Sequence, residues 1–281
     1  MNINTFFNIY YKHRFQKTKN IIKKIYLILT VPINYIIEKI TLQKFLDLDK
    51  YQKENKQLFK KNLNYLFQHF NSDKGKRFLN QYARFSKRDG KLLYAHNYGD
   101  YYDKFLKKFK NKKINILEIG AFKGNATASF FFYFNNSKIY SADLYPDLFR
   151  FKSERISSFK LDNSVEQELQ NLPKKLKYDI IIEDAGHYLK DQIISVFKLF
   201  PKLNKKGFFV VEELDFPDTR IDMNPGKKKP TLRDILISVK NNKDFESELV
   251  SKDQKEYFLK NLNSIEIFKG EFNEIAFIKK N

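Results

Sequence analysis

The sequence predicts an α/β fold, a doubly wound and mostly parallel sheet of seven strands with a helical extension at the N-terminus. Three observations carry the prediction: apolar runs alternate with helical patterns from Ile114 onward, the runs have strand length, and polar turn residues follow several of them. Ile114–Ile119 (INILEI) reads as a short buried strand, with a helix over Ala126–Phe134. Lys138–Asp143 (KIYSAD) is the second strand and Pro146–Arg155 the helix after it. Ser158–Leu161 is the weakest strand, followed by a helix over Val165–Leu172. Tyr178–Glu183 (YDIIIE) is the clearest strand, and Lys190–Leu203 is an amphipathic helix. Gly207–Glu212 (GFFVVE) is the fifth strand, Thr231–Asn241 a helix, and Ser264–Phe268 with Glu274–Ile278 a closing hairpin. Right-handed crossovers place helices on both faces of such a sheet. Ligands bind at the carboxyl ends of its strands, near the switch in strand order, so function is sought just after Ile119, Ala142, Leu161, Ile182 and Val211.

Of the 281 residues, 42% are hydrophobic and 16% aromatic, which is enough apolar side chain for a core and excludes global disorder. The absence of cysteine removes zinc–thiolate sites, iron–sulfur clusters, disulfide frameworks and cysteine nucleophiles together. Four histidines (His13, His69, His96 and His187) argue against an all-histidine cage, so a bound divalent metal takes mostly carboxylate oxygens. The formal charge of +20 is unevenly placed: residues 1–113 carry 26 Lys+Arg against 8 Asp+Glu, and residues 114–281 carry 27 against 25. The basic part reads either as an arm attracted to membrane phosphate or nucleic acid, or as drift in a chain rich in Lys, Asn, Ile and Phe.

Ile21–Ile40 (IIKKIYLILTVPINYIIEKI) is the most apolar stretch. Its uncharged core, Ile25–Ile37, is only thirteen residues long and is interrupted by Pro32, whereas a spanning helix needs roughly 20 apolar residues. No small-residue cleavage site follows, so a signal peptide fits poorly. The segment reads as a helix packed on the main domain or on a second subunit, or as an interfacial helix with basic flanks. Leu58, Leu63, Leu66, Phe67 and Phe70 give Lys50–Phe70 a helical period. Asn71–Asp100 reads as loops, and Tyr101–Phe109 as a further helix. The domain boundary is placed at Lys113. Residues 1–112 form a basic helical region whose first 45 residues are the apolar and basic segment, and residues 113–281 form the sheet domain.

The strand ends carry the chemistry. After the first strand comes Glu118-Ile119-Gly120-Ala121-Phe122-Lys123-Gly124, where two glycines four apart permit a tight turn and close approach to a ligand. The GxGxxG order is missing, which disfavours a pyrophosphate site. Asp143, 19 residues beyond Gly124, can accept hydrogen bonds from both hydroxyls of a ribose. Asp162-Asn163-Ser164 forms a polar turn able to read an adenine edge. Each alone is an ordinary turn former, but three at successive strand ends indicate a nucleoside-containing ligand. Glu183-Asp184-Ala185-Gly186-His187 and Glu212-Glu213 then bring four carboxylates and a histidine to one rim. Like-charge repulsion makes this costly unless protons or a cation compensate, and oxygen ligands suit a hard ion such as Mg²⁺. His187, three residues after a candidate ligand, is the candidate general base.

These residues resemble a known family. LEIGAFKGNAT, IYSADLYPD, DIIIEDAGH and FFVVEEL are similar to motifs of the class I S-adenosylmethionine-dependent methyltransferases, in the branch of the macrolide-sugar O-methyltransferases and the cephalosporin hydroxylase-like proteins. Upstream, Ser72-Asp73-Lys74-Gly75 and His96-Asn97-Tyr98, then Tyr102, resemble the branch's DKG and HGY…Y elements. The resemblance spans about residues 70–215, and residues 1–65 lie outside it. It implies a Rossmann-like methyltransferase fold, with Glu118, Gly120 and Gly124 in the cofactor loop, Asp143 on the ribose, Asp162 and Asn163 beside the adenine, and Tyr98 also on the cofactor. It implies Mg²⁺ on Asp184, Glu212 and Glu213, and His187 with Asp184 as the catalytic pair. The sequence departs from the pattern at Glu183, Ala185, Gly186, Glu213 and Asp215, and these departures bear on the metal geometry and on the acceptor.

The resulting expectation is an S-adenosylmethionine- and Mg²⁺-dependent O-methyltransferase acting on a hydroxyl of a sugar, glycan or related small molecule. It is placed in the cytoplasm, where that cofactor is made and used, with homo-oligomerisation or peripheral contact with the inner membrane face through the N-terminal segment. One alternative is a methyltransferase of a lipid or protein acceptor docked to a membrane by the basic arm. The other is a non-catalytic basic binding protein. A nucleic-acid partner is disfavoured because the rim acids would repel phosphate and no helix-turn-helix, zinc or RNP-like pattern occurs.

Overall fold

The computed structural model describes residues 1–77, 95–173 and 175–281, and in it the seven strands form one sheet. They are β1 (Lys113–Ile119), β2 (Asn136–Asp143), β3 (Ile156–Lys160), β4 (Tyr178–Glu183), β5 (Leu203–Val211), β6 (Leu262–Lys269) and β7 (Glu274–Lys280), in the order β3-β2-β1-β4-β5-β7-β6. Neighbouring strands pair parallel except β7, which is antiparallel to both β5 and β6. Because β1 is flanked by β2 and β4, the strand order reverses there, and the carboxyl ends of β1 and β4 open the crevice of a doubly wound sheet.

The helices are α1 (Ile3–Tyr10), α2 (Lys12–Lys17), α3 (Ile21–Thr41), α4 (Leu48–Glu54), α5 (Leu63–His69), α6 (Gly99–Leu106), α7 (Asn125–Tyr133), α8 (Glu166–Gln170), α9 (Leu189–Leu199), α10 (Phe216–Thr219), α11 (Leu232–Asn242) and α12 (Lys252–Asn261). The two-residue period of the strands sorts their side chains into two layers. Ile116, Ile180, Phe208 and Phe277 enter one core with α5, α6 and α7. Leu117, Ile181, Phe209 and Ile278 enter the other with α9, α11 and α12. On the first face the Phe67 ring lies 5.6 Å from Phe130, and Tyr102 lies 5.6 Å from Phe277, so residues ahead of Lys113 pack directly on the sheet layer.

Several expected elements differ. Pro146–Arg155 is not a helix: a 3₁₀ turn over Pro146–Leu148 leads to Phe151–Lys152, which pairs parallel with Leu46–Asp47. Phe149 and Phe151 are both buried, two residues apart as in extended chain. Lys50–Phe70 is divided into α4, a 3₁₀ turn over Lys56–Lys60, and α5, whose N-terminus is capped by the Asn62 side chain accepting from the Tyr65 N–H at 2.9 Å. The helix expected over Lys190–Leu203 ends at Leu199, because Leu203 already belongs to β5. Helix α12 escaped the sequence reading, since only Phe258 of its ten residues is buried. Its signature is the reciprocal capping box of Ser251 and Gln254. Helix α3 runs through Pro32 without stopping, held on its inner side by Val31. Of the predicted loop region Asn71–Asp100, residues 78–94 lie outside the described residues.

Candidate active site

The turn after β1 brings two strand ends into contact. Gly120 has φ +90°, and a Cβ there would lie 1.9 Å from the Asp184 carbonyl oxygen, so the exit of β1 closes on the exit of β4 only with glycine. Asp143, at the end of β2, is fixed by the backbone N–H groups of Phe122 and Tyr145, which donate to its two carboxylate oxygens at 2.7 Å each. Asp162 accepts from the N–H of Ser164 at 3.0 Å and from its hydroxyl at 2.6 Å. Asn163 is buried and donates to Glu183 at 3.2 Å. Gly120, Asp143, Asp162, Asn163, Asp184, His187 and Glu213 all line one cavity of about 710 Å³, within the size range of small-ligand sites.

Four of the sequence-derived candidates, Glu118, Gly124, Tyr98 and Glu212, lie outside that lining. Glu118 is buried beneath the turn and accepts from the Thr127 hydroxyl; burial raises its carboxyl to about 7. Gly124 has φ +84° and starts α7 against the Phe149 ring. Tyr98 is fully buried, its ring stacked on His96 at 5.1 Å and its hydroxyl donating to the Glu274 carbonyl at 3.4 Å.

The rim acids fall into two linked groups. Around Glu213, Oε2 meets His187 Nε2 at 2.6 Å, and Oε1 meets His96 Nε2 at 3.2 Å and the Asn273 side-chain amide at 3.2 Å. Asp184 Oδ1 lies 3.7 Å from the same His187 nitrogen. One donor atom each from Asp184, His187 and Glu213 lies within 4.8 Å of the others. On the other side, the buried Lys74 ammonium bonds Asp184 and, at 2.8 Å, Glu212, whose second oxygen accepts from the Tyr102 hydroxyl. Glu212 is thus held by Lys74 and Tyr102, while Asp184 belongs to both groups.

Charge accounts for this arrangement. Burial alone would discharge Lys74, but the carboxylates of Asp184 and Glu212 hold its ammonium well above the usual range. Burial also pushes Glu212 up to about 8 and raises Asp184. Burial likewise works against a charged His187, and the Glu213 carboxylate overcomes it, raising the imidazole to about 9. His187 Nδ1 is buried with no hydrogen-bond partner among the described residues. His187 and Glu213 also adopt left-handed backbone, with φ +55° and +50°, a conformation that costs free energy in non-glycine residues and collects at functional sites.

Lys74, Tyr102, His96 and Asn273 received no role from the residues alone. The first three lie in the DKG-like and HGY…Y-like segments, which was their signal. Asn273 sits between β6 and β7 and carried none.

No protein-family model matches the sequence. Among curated proteins, the chain is 28% identical over 127 residues to the 8-demethyl-8-alpha-L-rhamnosyl tetracenomycin-C 2'-O-methyltransferase of Streptomyces olivaceus, covering 42% of this chain and 33% of that protein. It is 26% identical over 155 residues to the demethylmacrocin O-methyltransferase of Streptomyces fradiae, covering 51% of this chain and 39% of the other. The aligned part of the chain therefore spans only about a third of the length of these relatives. Among solved structures, it is similar to the MycE methyltransferase of the mycinamycin biosynthetic pathway in complex with Mg and SAH. The TM-score is 0.59 at 18% identity, over 79% of this chain and 55% of the other. The fold is the Rossmann-like fold of the class I methyltransferases. By sequence, the chain is similar to the branch of sugar and macrolide O-methyltransferases.

Proposed function

We propose that the chain is an S-adenosylmethionine- and Mg²⁺-dependent O-methyltransferase whose acceptor is a hydroxyl of a sugar, glycan or related small molecule. The observation that carries this reading is the meeting of two half-sites in one cavity, Gly120, Asp143, Asp162 and Asn163 on one side and Asp184, His187 and Glu213 on the other. One curated relative, named as the 2'-O-methyltransferase of a rhamnosyl tetracenomycin, supports the acceptor class, and the other is likewise named an O-methyltransferase.

The residues present fit both groups. Each Asp143 oxygen already accepts one backbone hydrogen bond and retains a lone pair for a ribose hydroxyl. Asp184 and Glu213 offer the carboxylate oxygens a hard cation takes, with His187 as the third member of the group, while Glu212 is held by Lys74 and Tyr102. When bound, the cofactor supplies an electrophilic sulfonium methyl, and the metal lowers the pKa of a coordinated hydroxyl.

The chain's own part is positioning and proton transfer. Asp143 and the Gly120 turn fix one end of the cavity, and Asp184 and Glu213 fix the other. Alignment of the reacting atoms supplies much of the rate, since no covalent enzyme intermediate is needed. His187 presents Nε2 to the acids, and that atom receives the acceptor's proton. Because the ring is raised to about 9 and so carries a proton near neutral pH, it must first release that proton to solvent, which sharing of the Glu213 charge with a bound cation would favour. Glu213 then holds the protonated ring.

Calorimetric titration of S-adenosylmethionine, with Mg²⁺ and again with EDTA, is the test. Micromolar binding in both is expected, with His187→Ala and Asp184→Ala abolishing turnover of a glycan acceptor while retaining cofactor binding. Absence of cofactor binding in both conditions would refute the proposal.

A further inference from the structure

Helix α3 has two opposed faces. Leu27, Val31 and Tyr35 turn inward to Phe6 and Tyr11, while Ile22, Ile25, Leu29, Ile33, Ile36 and Ile40 form an outward stripe at three- and four-residue spacings. These six are between 51% and 78% exposed, so the outer stripe is more exposed than a helix packed on its own domain allows. The stripe extends for about 27 Å at 1.5 Å per residue. Among the described residues no helix is long and apolar enough to cross a membrane, and α3 carries Lys23, Lys24, Glu38 and Lys39 near its ends.

The charge around the stripe has one sign. Residues 1–46 contain eight Lys and Arg and a single acid, Glu38. Glu38 is buried, accepting from the Tyr10 hydroxyl at 2.8 Å and pairing with Lys123 at 3.5 Å, so it neutralises nothing at the outer surface. Lys12, Arg14, Lys17, Lys19, Lys23 and Lys24 flank one end of α3, and Lys39 and Lys44 the other. A second copy brought face to face would set cations against cations, whereas anionic headgroups neutralise them as the apolar face enters the acyl boundary.

We propose that the α1–α3 segment docks the protein on the surface of an anionic lipid bilayer, with α3 lying in the interface. The segment is fastened to the body, not tethered loosely. The Asn2 N–H and the Thr5 hydroxyl donate to Asp147 at 2.7 and 3.0 Å, and Glu38 meets Lys123 of the turn between Gly120 and Gly124. Docking therefore fixes the bilayer relative to the carboxyl ends of the strands, where the cavity lies. The proposal stands independently of the methyl-transfer reading.

The test is flotation of the full chain with vesicles of phosphatidylcholine alone and with about 30% phosphatidylglycerol. Binding is expected to the anionic vesicles and to weaken with salt. Ile25→Ser/Leu29→Ser/Ile33→Ser, which touches only exposed positions, should reduce it by about tenfold or more at unchanged melting temperature. Lys17→Gln/Lys19→Gln/Lys23→Gln/Lys24→Gln should weaken anionic binding several-fold while leaving the weak binding to neutral vesicles unchanged. Failure of the full chain to float, or equal flotation of the serine variant, would overturn the proposal. So would a lipid-free dimer in sedimentation velocity that the serine variant turns into monomer, since a second copy would then cover the stripe.

Discussion

Lys74 donates its ammonium to Glu212 at 2.8 Å, both side chains being almost wholly buried, and so joins a turn ahead of the sheet to the end of β5. The same nitrogen bonds Asp184 at the end of β4. One cation thus offsets two acids that the parallel sheet forces onto one rim, and the third, Glu213, is offset by His187.

Removing that ammonium should destabilise the protein severely. In Lys74→Met the two carboxylates keep their burial and lose their shared partner, and breaking a buried ion pair costs about 3–5 kcal/mol. Urea denaturation should show this loss. Adding Glu212→Gln should recover part of it, because less uncompensated charge then remains; a double variant no better than Lys74→Met would refute the pairing.

The two glutamates after β5 should behave differently towards Mg²⁺. Glu213 lines the cavity beside Asp184 and His187, whereas Glu212 lies outside its lining, held by the Lys74 ammonium and the Tyr102 hydroxyl. Calorimetric titration of Mg²⁺ should show Glu213→Gln losing at least about tenfold in affinity, the scale of a removed charge-assisted contact. Glu212→Gln should lose less affinity and more stability. Equal losses would make Glu212 a ligand of equal rank.

The sheet was legible because its strands are short apolar runs, and the strand-end rule pointed to Gly120, Asp143, Asp184 and Glu213, which line one cavity. Three things were not legible, each for a physical reason. Phe149 and Phe151 lie in a segment whose helical composition is overridden by burial of alternate residues. The charge step at Lys113 is a surface property, and it does not report that Phe67 and Tyr102 pack on Phe130 and Phe277. The role of Lys74 depends on a pairing across 138 residues that no local pattern encodes.

Stability of the ligand-free protein should fall as pH rises through the range set by Glu118. Burial, stronger than the opposing Lys74 charge and Thr127 hydrogen bond, raises its carboxyl from 4.5 to about 7. Between those values the native state binds more protons than the unfolded chain, so this contribution is complete below pH 4.5 and lost as pH passes 7. Its full span is about 3 kcal/mol. Urea denaturation at several pH values should give a flatter slope for Glu118→Gln than for the parent; parallel slopes would mean that Glu118 is ionised throughout.

A single methyl group at Gly120 should separate the turn's geometry from its backbone strain. Gly120 and Gly226 share a left-handed backbone, with φ +90° and +87°, so alanine at either incurs about 1 kcal/mol of strain or somewhat more. At Gly226 the added carbon meets nothing within 4 Å, whereas at Gly120 it meets the Asp184 carbonyl oxygen at 1.9 Å. Gly120→Ala must therefore push the exits of β1 and β4 apart, widening the cavity between Asp143 and Asp184. Calorimetry with S-adenosylmethionine should show at least about a tenfold loss for Gly120→Ala, equivalent to 1.4 kcal/mol, and none for Gly226→Ala. Equal affinity in both variants would mean that cofactor binding does not depend on the contact between these two strand ends.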